Sequence, residues 1–247
     1  MSLEIFIPAR SGSKRVKNKN LQKINGISLL EKKIQTCKKI PKIKIVVSTN
    51  SQKIAHVAKK NGAIVPFLRK EKYATSKAST ISVILEYLRY LKKNKLIIPD
   101  FLMVLPVTNP FLRLNSITKA IKLINVLKKN KKINSILSYT ASEEHPYLYV
   151  YPKKKKLEFN LFKYKNYKYS DLERTQDWPK AFVGSAALKI TRTKFFLNLI
   201  NNNSPNLQKK TFDLNNTIGV LISKNENFDI NNFSDLQLAR SLSELKF

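Results

Sequence analysis

Short apolar runs alternate with amphipathic helical patterns along the first 139 residues of the chain. Leu3–Pro8, Ile43–Ser48 and Asp100–Leu105 are apolar runs of strand length. Thr80–Lys93 instead repeats its apolar residues at helical spacing: Ile81, Ile84, Leu85, Leu88 and Leu91. Strands that alternate with helices form a mostly parallel sheet with helices on both faces. We therefore predict an α/β protein built on such a sheet.

The same patterns predict the remaining elements. Further helices are predicted over Ile27–Lys39, Ser51–Asn61 and Ser116–Lys129, and further strands over Ala63–Leu68 and Ser135–Tyr139. Glu143–Asp177 is rich in tyrosine and lysine and has no regular period, which predicts hairpins or an arm that leaves the sheet. A strand, a helix, a strand and a helix are then predicted over Phe182–Ile190, Thr193–Asn201, Gly219–Ser223 and Ser234–Leu245. We assign residues 1–139 to the α/β core, 140–180 to an arm or small lobe, and 181–247 to the completion of the core.

The net charge of +31 is the most extreme property of the composition. Nucleic-acid binding is one interpretation, because basic surfaces attract phosphate backbones. However, lysine far outnumbers arginine, asparagine and isoleucine are also abundant, and the basic residues are spread along the chain. Lysine, asparagine and isoleucine share A/T-rich codons, so we attribute most of the charge to codon bias. A positive field also favours small anionic substrates.

Cysteine content and hydropathy suggest a cellular compartment. Cys37 is the one cysteine, so an intrachain disulfide is excluded and a reducing compartment fits. The apolar stretch at the N-terminus is too short for a signal peptide. The longest apolar run, Leu96–Leu105, contains a proline and an aspartate and is too short to span a membrane. We expect a cytoplasmic protein without a membrane partner.

The loop that follows the first apolar run, Pro8–Asn20, concentrates serine, glycine and basic residues. Gly12 allows close approach of the backbone, and successive N–H groups in such a loop form an anion-binding nest. Five basic residues add positive charge: Arg10, Lys14, Arg15, Lys17 and Lys19. The spacing is neither that of a Walker A loop nor G-x-G-x-x-G. We interpret the segment as a phosphate-binding loop; a solvated basic loop is the alternative in so lysine-rich a chain.

A second loop belongs to the same predicted cleft. Ligands of open parallel sheets bind at the carboxyl ends of the strands. The loops Arg10–Asn20 and Pro106–Arg113 both follow predicted strands, so we expect them to border one site.

Seven segments of the chain follow one another in an order that one enzyme family shares. They are IPARSGSKRVKNKNLQKINGISLLEKKI, VVSTNSQKIAHVAKKNGA, LRKEKYATSKASTIS, VLPVTNPFLR, EEHPY, SDLERTQDWPKAF and FDINNFSDLQLA. Each resembles a motif of the CMP-sialic acid synthetases and their relatives, such as the A-R-x-x-S-K-G-like loop and the Q-P-T-S-P-L-R loop. On this resemblance, which covers residues 3–240, the chain is identified as a member of that family of nucleotide-sugar cytidylyltransferases.

The resemblance implies a Rossmann-like nucleotide-binding fold and a set of site residues. Its first loop wraps the triphosphate of CTP, and the implied nucleotide contacts are Ala9, Arg10, Ser13, Lys19, Asn20, Ala78 and Thr80. Arg10 and Lys19 are also the implied catalytic residues, because they would offset charge on the leaving pyrophosphate. The implied sugar contacts are Thr108, Asn109, Arg174 and Ser185, and the implied metal ligand is Asp229.

The resemblance also implies the reaction. The anomeric hydroxyl of an acidic keto-sugar, of the sialic, legionaminic or pseudaminic type, attacks the α-phosphate of CTP and pyrophosphate leaves. Such transfers depend on alignment and charge neutralisation. Mg²⁺ is the implied cofactor, and a homodimer is implied in which residues 140–180 of one subunit reach the partner's sugar site.

The chain departs from the family at several positions that carry acids or sugar contacts. The D-I-D metal motif appears as Asp229-Ile230-Asn231, and two further acids of the family are replaced by Asn50 and Ser76. Sugar-side residues are replaced by Pro106, Leu148 and Ser185, and the spacing around Arg174 differs by one residue. Three hypotheses stay open: another sugar, a weakened or inactive nucleotide-binding homologue, and drift from aspartate to asparagine. A basic nucleic-acid-binding protein is the alternative from another class.

Overall fold

The computed structural model of the chain describes residues 2–152, 159–161, 174, 176, 178–201 and 212–244. The strands are β1 (Leu3–Pro8), β2 (Lys23–Ile24), β3 (Ile27–Ser28), β4 (Lys44–Ser48), β5 (Phe101–Val104), β6 (Ser135–Ala141), β7 (Val150–Pro152), β8 (Phe159–Leu161), β9 (Phe182–Arg192) and β10 (Thr217–Leu221). The helices are α1 (Leu29–Lys38), α2 (Gln52–Lys60), α3 (Thr80–Lys93), α4 (Leu114–Lys129), α5 (Thr193–Asn201) and α6 (Phe233–Glu244).

Six strands form the central sheet, in the order β10-β6-β9-β5-β1-β4. Neighbouring strands run parallel except at β9, which is antiparallel to both β5 and β6. The carboxyl ends of β1, β4, β5, β6 and β10 therefore meet at one edge of the sheet, together with the start of β9. The predicted mostly parallel α/β sheet is confirmed.

Helices cover both faces of the sheet and bury its apolar residues. On one face, α1, α2, α4 and α6 pack on residues such as Ile5 and Val47. On the other face, α3 and α5 pack on residues such as Phe6 and Val46. Successive residues of a strand point to opposite faces. Strands buried on both faces favour apolar residues at successive positions, which explains the apolar runs.

The prediction of a strand over Ala63–Leu68 was wrong. These residues are all described, and their strand pairing is limited to two isolated parallel bridges, Val46 to Ile64 and, one residue past β4, Thr49 to Leu68. Pro66 lies between the bridges and cannot donate a backbone hydrogen bond, so a continuous ladder does not form. Apolar composition alone did not reveal this interruption.

Four helices begin at positions other than those predicted: α2 and α6 differ by one residue, and α1 and α4 by two. α1 begins at Leu29 rather than Ile27, because Ser28 forms a capping box with Glu31. The Ser28 Oγ accepts from the Glu31 N–H at 3.2 Å, and the Glu31 Oε2 accepts from the Ser28 N–H at 2.9 Å. α4 begins at Leu114, two residues before the predicted start.

The segment predicted as an arm is described only in part. β7 and β8 pair as an antiparallel hairpin, which agrees with the predicted hairpins. The rest of Glu143–Asp177, apart from a few residues, lies outside the described residues. β6 continues to Ala141, which pairs with Phe182 of β9. The chain therefore leaves the central sheet and returns to it at neighbouring positions. The domain limits at 139 and 180 stay a prediction. Within the described part of the chain, no helix has the length and hydropathy of a membrane span.

Candidate active site

The loop after β1 is closed by its own side chains. The Ala9 N–H donates to the Ser48 carbonyl at 2.9 Å, so the loop begins as a continuation of the sheet. Gly12 has φ 72°, a left-handed conformation that favours glycine. The buried Asn20 donates through Nδ2 to the Arg10 carbonyl at 2.8 Å, which joins the two ends of the loop. Asn20 therefore sets the size of the loop.

Arg10 lies between this loop and the loop before α3. Its Nη1 donates to the Gly12 carbonyl at 3.5 Å and to the Ala74 carbonyl at 3.4 Å. Both bonds are long, and the side chain is only half-buried. Because these bonds are weak, the N–H groups of the guanidinium are available to bind an anion.

The predicted cytidine contacts lie at the start of α3. The Ala78 N–H donates to the Thr75 carbonyl at 3.2 Å, which forms a turn just before the helix. Ser79 caps the helix, since its Oγ accepts from the Ser82 N–H. Thr80 is the first helical residue and is half-buried. Ser13 is also half-buried, in the first loop. The N-terminus of a helix favours negative charge, which suits a nucleotide.

Lys19 joins the first loop to a segment more than 200 residues away in the sequence. Its Nζ donates to the Ile230 carbonyl at 2.7 Å and to the Asn231 carbonyl at 3.3 Å. Burial lowers the pKa of Lys19, and the negative charge of Asp229 opposes that change. The positive charge of Arg10 also acts on Lys19. Three predicted site residues thus share one electrostatic environment.

Asp229 presents a carboxylate oxygen without a protein partner. Its Oδ1 is buried and accepts no hydrogen bond from the residues that the structure describes. The next residue is held firmly, because the Ile230 N–H donates to the Thr108 carbonyl at 2.9 Å. The Asn231 side chain turns back, and its Nδ2 donates to the Asp229 carbonyl at 3.3 Å. Among the described residues, no cluster of three or more His, Cys, Asp or Glu side chains forms a ready-made metal site.

The loop after β5 meets this segment through Asn109. Asn109 is buried, and its Nδ2 donates to the Phe228 carbonyl at 3.0 Å. The Asn109 carbonyl accepts from Lys33 Nζ at 2.8 Å. Thr108 is half-buried beside it. The two loops that were expected to border one cleft are therefore linked through residues 228–231.

Ser185 and Arg174 lie apart from these contacts. Ser185 is buried on β9 at an irregularity of the ladder with β6. Its Oγ accepts from the Ala187 N–H at 3.1 Å, and its carbonyl accepts from the Ser138 hydroxyl at 3.2 Å. Arg174 is exposed. The sugar contacts assigned to both residues stay predictions.

Asn50 is a site residue that the sequence marked only as a lost acid. Its Oδ1 accepts from the Ser11 N–H at 2.9 Å and from the Ser11 hydroxyl at 3.1 Å. Its Nδ2 donates to Glu71 Oε1 at 3.4 Å. A carboxylate at position 50 would instead face the carboxylate of Glu71. The amide therefore suits its neighbours in this chain.

Arg69 was not predicted, yet it supports the same edge of the sheet. It is buried, and its Nη2 and Nε donate to the carbonyl and hydroxyl of Ser48 at 2.6 and 3.2 Å. Its Nη1 donates to the Tyr73 carbonyl at 3.4 Å. Burial lowers the pKa of Arg69 to about 10. The sequence signal was its place in the segment LRKEKYATSKASTIS, which resembles a family motif.

A cavity of about 740 Å³ adjoins the site. Its lining includes Lys32, Phe111, Arg113, Asn227 and Phe228. The last two precede Asp229 directly, but neither Arg10 nor Lys19 lines the cavity. The first loop and the cavity are therefore separate features of the same region.

Comparison with known proteins gives the family. The cytidylyltransferase family profile matches residues 5–158. Post-translational flagellin modification protein B of Campylobacter coli is 31% identical over 192 residues, which cover 77% of each chain. CMP-N,N'-diacetyllegionaminic acid synthase of Legionella pneumophila is 34% identical over 53% of this chain and 56% of that protein, so that match spans just over half of the relative. Pseudaminic acid cytidylyltransferase of Campylobacter jejuni is 27% identical over 96% of this chain and 94% of that protein.

Solved structures show the same fold. A CMP:2-keto-3-deoxy-manno-octonic acid synthetase complexed with CTP superimposes with a TM-score of 0.69, at 13% identity and over 100% of both chains. A cytidylyltransferase from Leptospira borgpetersenii superimposes with a TM-score of 0.59, at 15% identity, over 100% of this chain and 88% of that one. Together with the family match and the similarity to the C. coli protein, these findings establish that the chain belongs to the cytidylyltransferase family of nucleotidyltransferases.

Proposed function

We propose that the protein transfers CMP from CTP to the anomeric hydroxyl of an acidic keto-sugar of the nonulosonic type and releases pyrophosphate. The observation that carries the proposal is the position of Lys19. Its side chain reaches from the loop after β1 to the segment that contains Asp229. A cation at that point suits a triphosphate on one side and an acid-bound metal on the other. The names of the legionaminic and pseudaminic relatives support this class of sugar.

The triphosphate would be bound mainly by the first loop. Arg10 and Lys19 supply cations, and the left-handed Gly12 gives the loop a conformation in which backbone N–H groups can bind an anion. Charge on the β- and γ-phosphates grows as pyrophosphate leaves, so fixed cations there lower the barrier. Ala78 and Thr80, at the start of α3, would contact the cytidine.

Mg²⁺ would bind at Asp229. The buried, unpartnered Oδ1 of Asp229 fits such an ion, because Mg²⁺ prefers carboxylate oxygen and completes its octahedron with water and substrate phosphates. One carboxylate with substrate oxygens is enough, so the amide at Asn231 does not rule out a metal. When bound, the ion would neutralise triphosphate charge and polarise the α-phosphate. Lys19 remains the neighbouring protein cation that orients the phosphates from the loop side.

The sugar would enter at the same edge, beside Thr108, with Arg174 recognising its carboxylate. We further propose a homodimer that forms around the start and end of the arm. Leu148, Tyr149, Phe182 and Val183 are apolar and each about half exposed, which is the composition of a contact surface. A cytoplasmic location accords with a CTP-dependent reaction and with the single buried thiol of Cys37.

Pyrophosphate release in the presence of CTP, Mg²⁺ and a panel of keto-sugar acids tests the reaction. We expect release with at least one sugar and loss of release when the metal is chelated. Release with none of them would refute the proposal. CTP-dependent thermal stabilisation without turnover would favour the inactive nucleotide-binding homologue instead. Salt-sensitive retardation of nucleic acid at about 150 mM salt would favour the basic nucleic-acid-binding alternative.

Lys19→Ala tests the residue that carries the proposal. We expect the rate to fall at least about tenfold, as for loss of one charged phosphate contact. Lys59→Ala is the control, since Lys59 is an exposed lysine on α2, outside the loop. Equal rates for Lys19→Ala and the wild type would remove Lys19 from the site.

A further inference from the structure

Lys33 lies on α1, beneath the loop that follows β5, and none of the roles described so far uses it. Its side chain is only 4% exposed, and its Nζ donates to the Asn109 carbonyl at 2.8 Å. Among the described residues, no carboxylate lies within ion-pair distance of it. The polar neighbours that act on it electrostatically are Cys37 and Lys32, both on α1. Lys33 is therefore a buried cation that makes one hydrogen bond.

Such an arrangement opposes folding. A charge removed from water without a counter-charge destabilises the native state, and here burial lowers the pKa of Lys33 to about 8. A methionine of similar length would fill the space without that cost. The stability of the fold thus gives no reason for a lysine at this position. The hydrogen bond to Asn109 is the feature that a methionine could not reproduce.

Asn109 connects this hydrogen bond to the candidate active site. Its side chain donates to the Phe228 carbonyl at 3.0 Å, directly before Asp229. The neighbouring Thr108 carbonyl accepts from the Ile230 N–H at 2.9 Å. The Ile230 carbonyl in turn accepts from Lys19. A continuous series of hydrogen bonds runs from the buried lysine, through the loop after β5, to the phosphate-binding loop.

We infer, on the basis of the proposed function, that Lys33 is a positioning residue: its hydrogen bond to Asn109 fixes the loop after β5 against residues 228–231. The loop carries Thr108, beside which the sugar would lie, and the segment carries Asp229. Alignment of the attacking hydroxyl with the α-phosphate then depends on a residue that touches neither substrate. A displacement of about 1 Å at such a position can lower a rate by up to about 100-fold.

Three variants separate positioning from a merely structural role. In Lys33→Met we expect kcat for pyrophosphate release to fall at least about tenfold, with KM for CTP little changed and the melting temperature at or above that of the wild type. Lys33→Gln keeps a neutral donor and should recover part of kcat. Lys39→Met, at the exposed end of α1, is the control and should behave as the wild type. An unchanged kcat, or a melting temperature that falls in step with kcat, would overturn the inference.

Amide hydrogen exchange gives a readout that does not require activity. The Ile230 N–H is protected by its bond to the Thr108 carbonyl, so its exchange should speed up in Lys33→Met but not in Lys39→Met. If the wild-type protein released no pyrophosphate, the proposed function would fail, yet this exchange would still decide the role of Lys33. Unchanged exchange at Ile230 would overturn it. Should Lys33→Met fail to fold, the same comparison applies to Lys33→Leu, which also lacks a hydrogen-bond donor.

Discussion

The buried ammonium of Lys33 makes the stability of the protein depend on pH in a defined direction. Its pKa is lowered from 10.5 to about 8 in the folded state. Between these values the unfolded chain binds more protons than the folded one, so stability rises with pH through that window. One pKa unit is worth about 1.36 kcal/mol, so a protonated Lys33 costs the fold roughly 3 kcal/mol at neutral pH.

Lys33→Met removes this cost together with one hydrogen bond. A buried hydrogen bond contributes about 1 kcal/mol, so we expect the variant to be more stable than the wild type at pH 7 by about 2 kcal/mol. Raising the pH to 9 deprotonates Lys33 in the folded wild type, and the advantage of the variant should shrink by roughly 1 kcal/mol. The measurements end at pH 9 because of Cys37. Burial raises the pKa of Cys37 from 9.0 to about 11, so its titration lowers the stability of the fold as the pH rises further.

Urea denaturation at pH 7, 8 and 9 and constant ionic strength measures these differences directly. Lys39→Met should match the wild type at every pH, because that side chain is exposed. The reasoning would be refuted if the advantage of Lys33→Met did not change with pH. It would equally be refuted if Lys33→Met were less stable than the wild type at pH 7.

Three further substitutions test other contacts of the site and the sheet. Asn50→Asp should lower CTP affinity several-fold by isothermal titration, because the new carboxylate would face Glu71 and loosen the loop at Ser11. Asp229→Asn should raise the Mg²⁺ concentration required for half-maximal pyrophosphate release, whereas an unchanged requirement would place the metal elsewhere. Gly219→Ala should destabilise the fold by about 1–3 kcal/mol in urea denaturation, because the added methyl group overlaps the ring of Tyr139.

Much of the fold follows from periodicity, because a sheet buried on both faces requires apolar runs and its helices require an apolar stripe. α3 is a case in which the predicted and observed limits coincide. Hydrophobic periodicity does not show that Pro66 lacks a backbone N–H donor. This lack interrupts the predicted strand Ala63–Leu68. Nor does periodicity show the Ser28 capping box, which moves the start of α1.

Candidate site residues can be predicted from the sequence where they lie close together in one loop. Arg10, Gly12 and Asn20 lie in one loop, and the resemblance of that loop to a family motif is what assigned Arg10 and Asn20 to the nucleotide. The contact of Lys19 with Ile230 joins distant segments, and no local pattern encodes it. Lys33 was not predicted for a different reason. In a chain with 47 basic residues, a lysine on a helix is expected to be exposed, and only the structure shows that this one is buried.

The reversed direction of β9 has a consequence for how such enzymes diversify. Residues 142–181 depart after Ala141 and return at Phe182, and these two residues are paired neighbours at the edge where β1 and β5 also end. Insertions or exchanges between these points leave the strand order and the buried layers untouched. Chain added between Ala141 and Phe182 would therefore lie at the same edge of the sheet as the candidate active site.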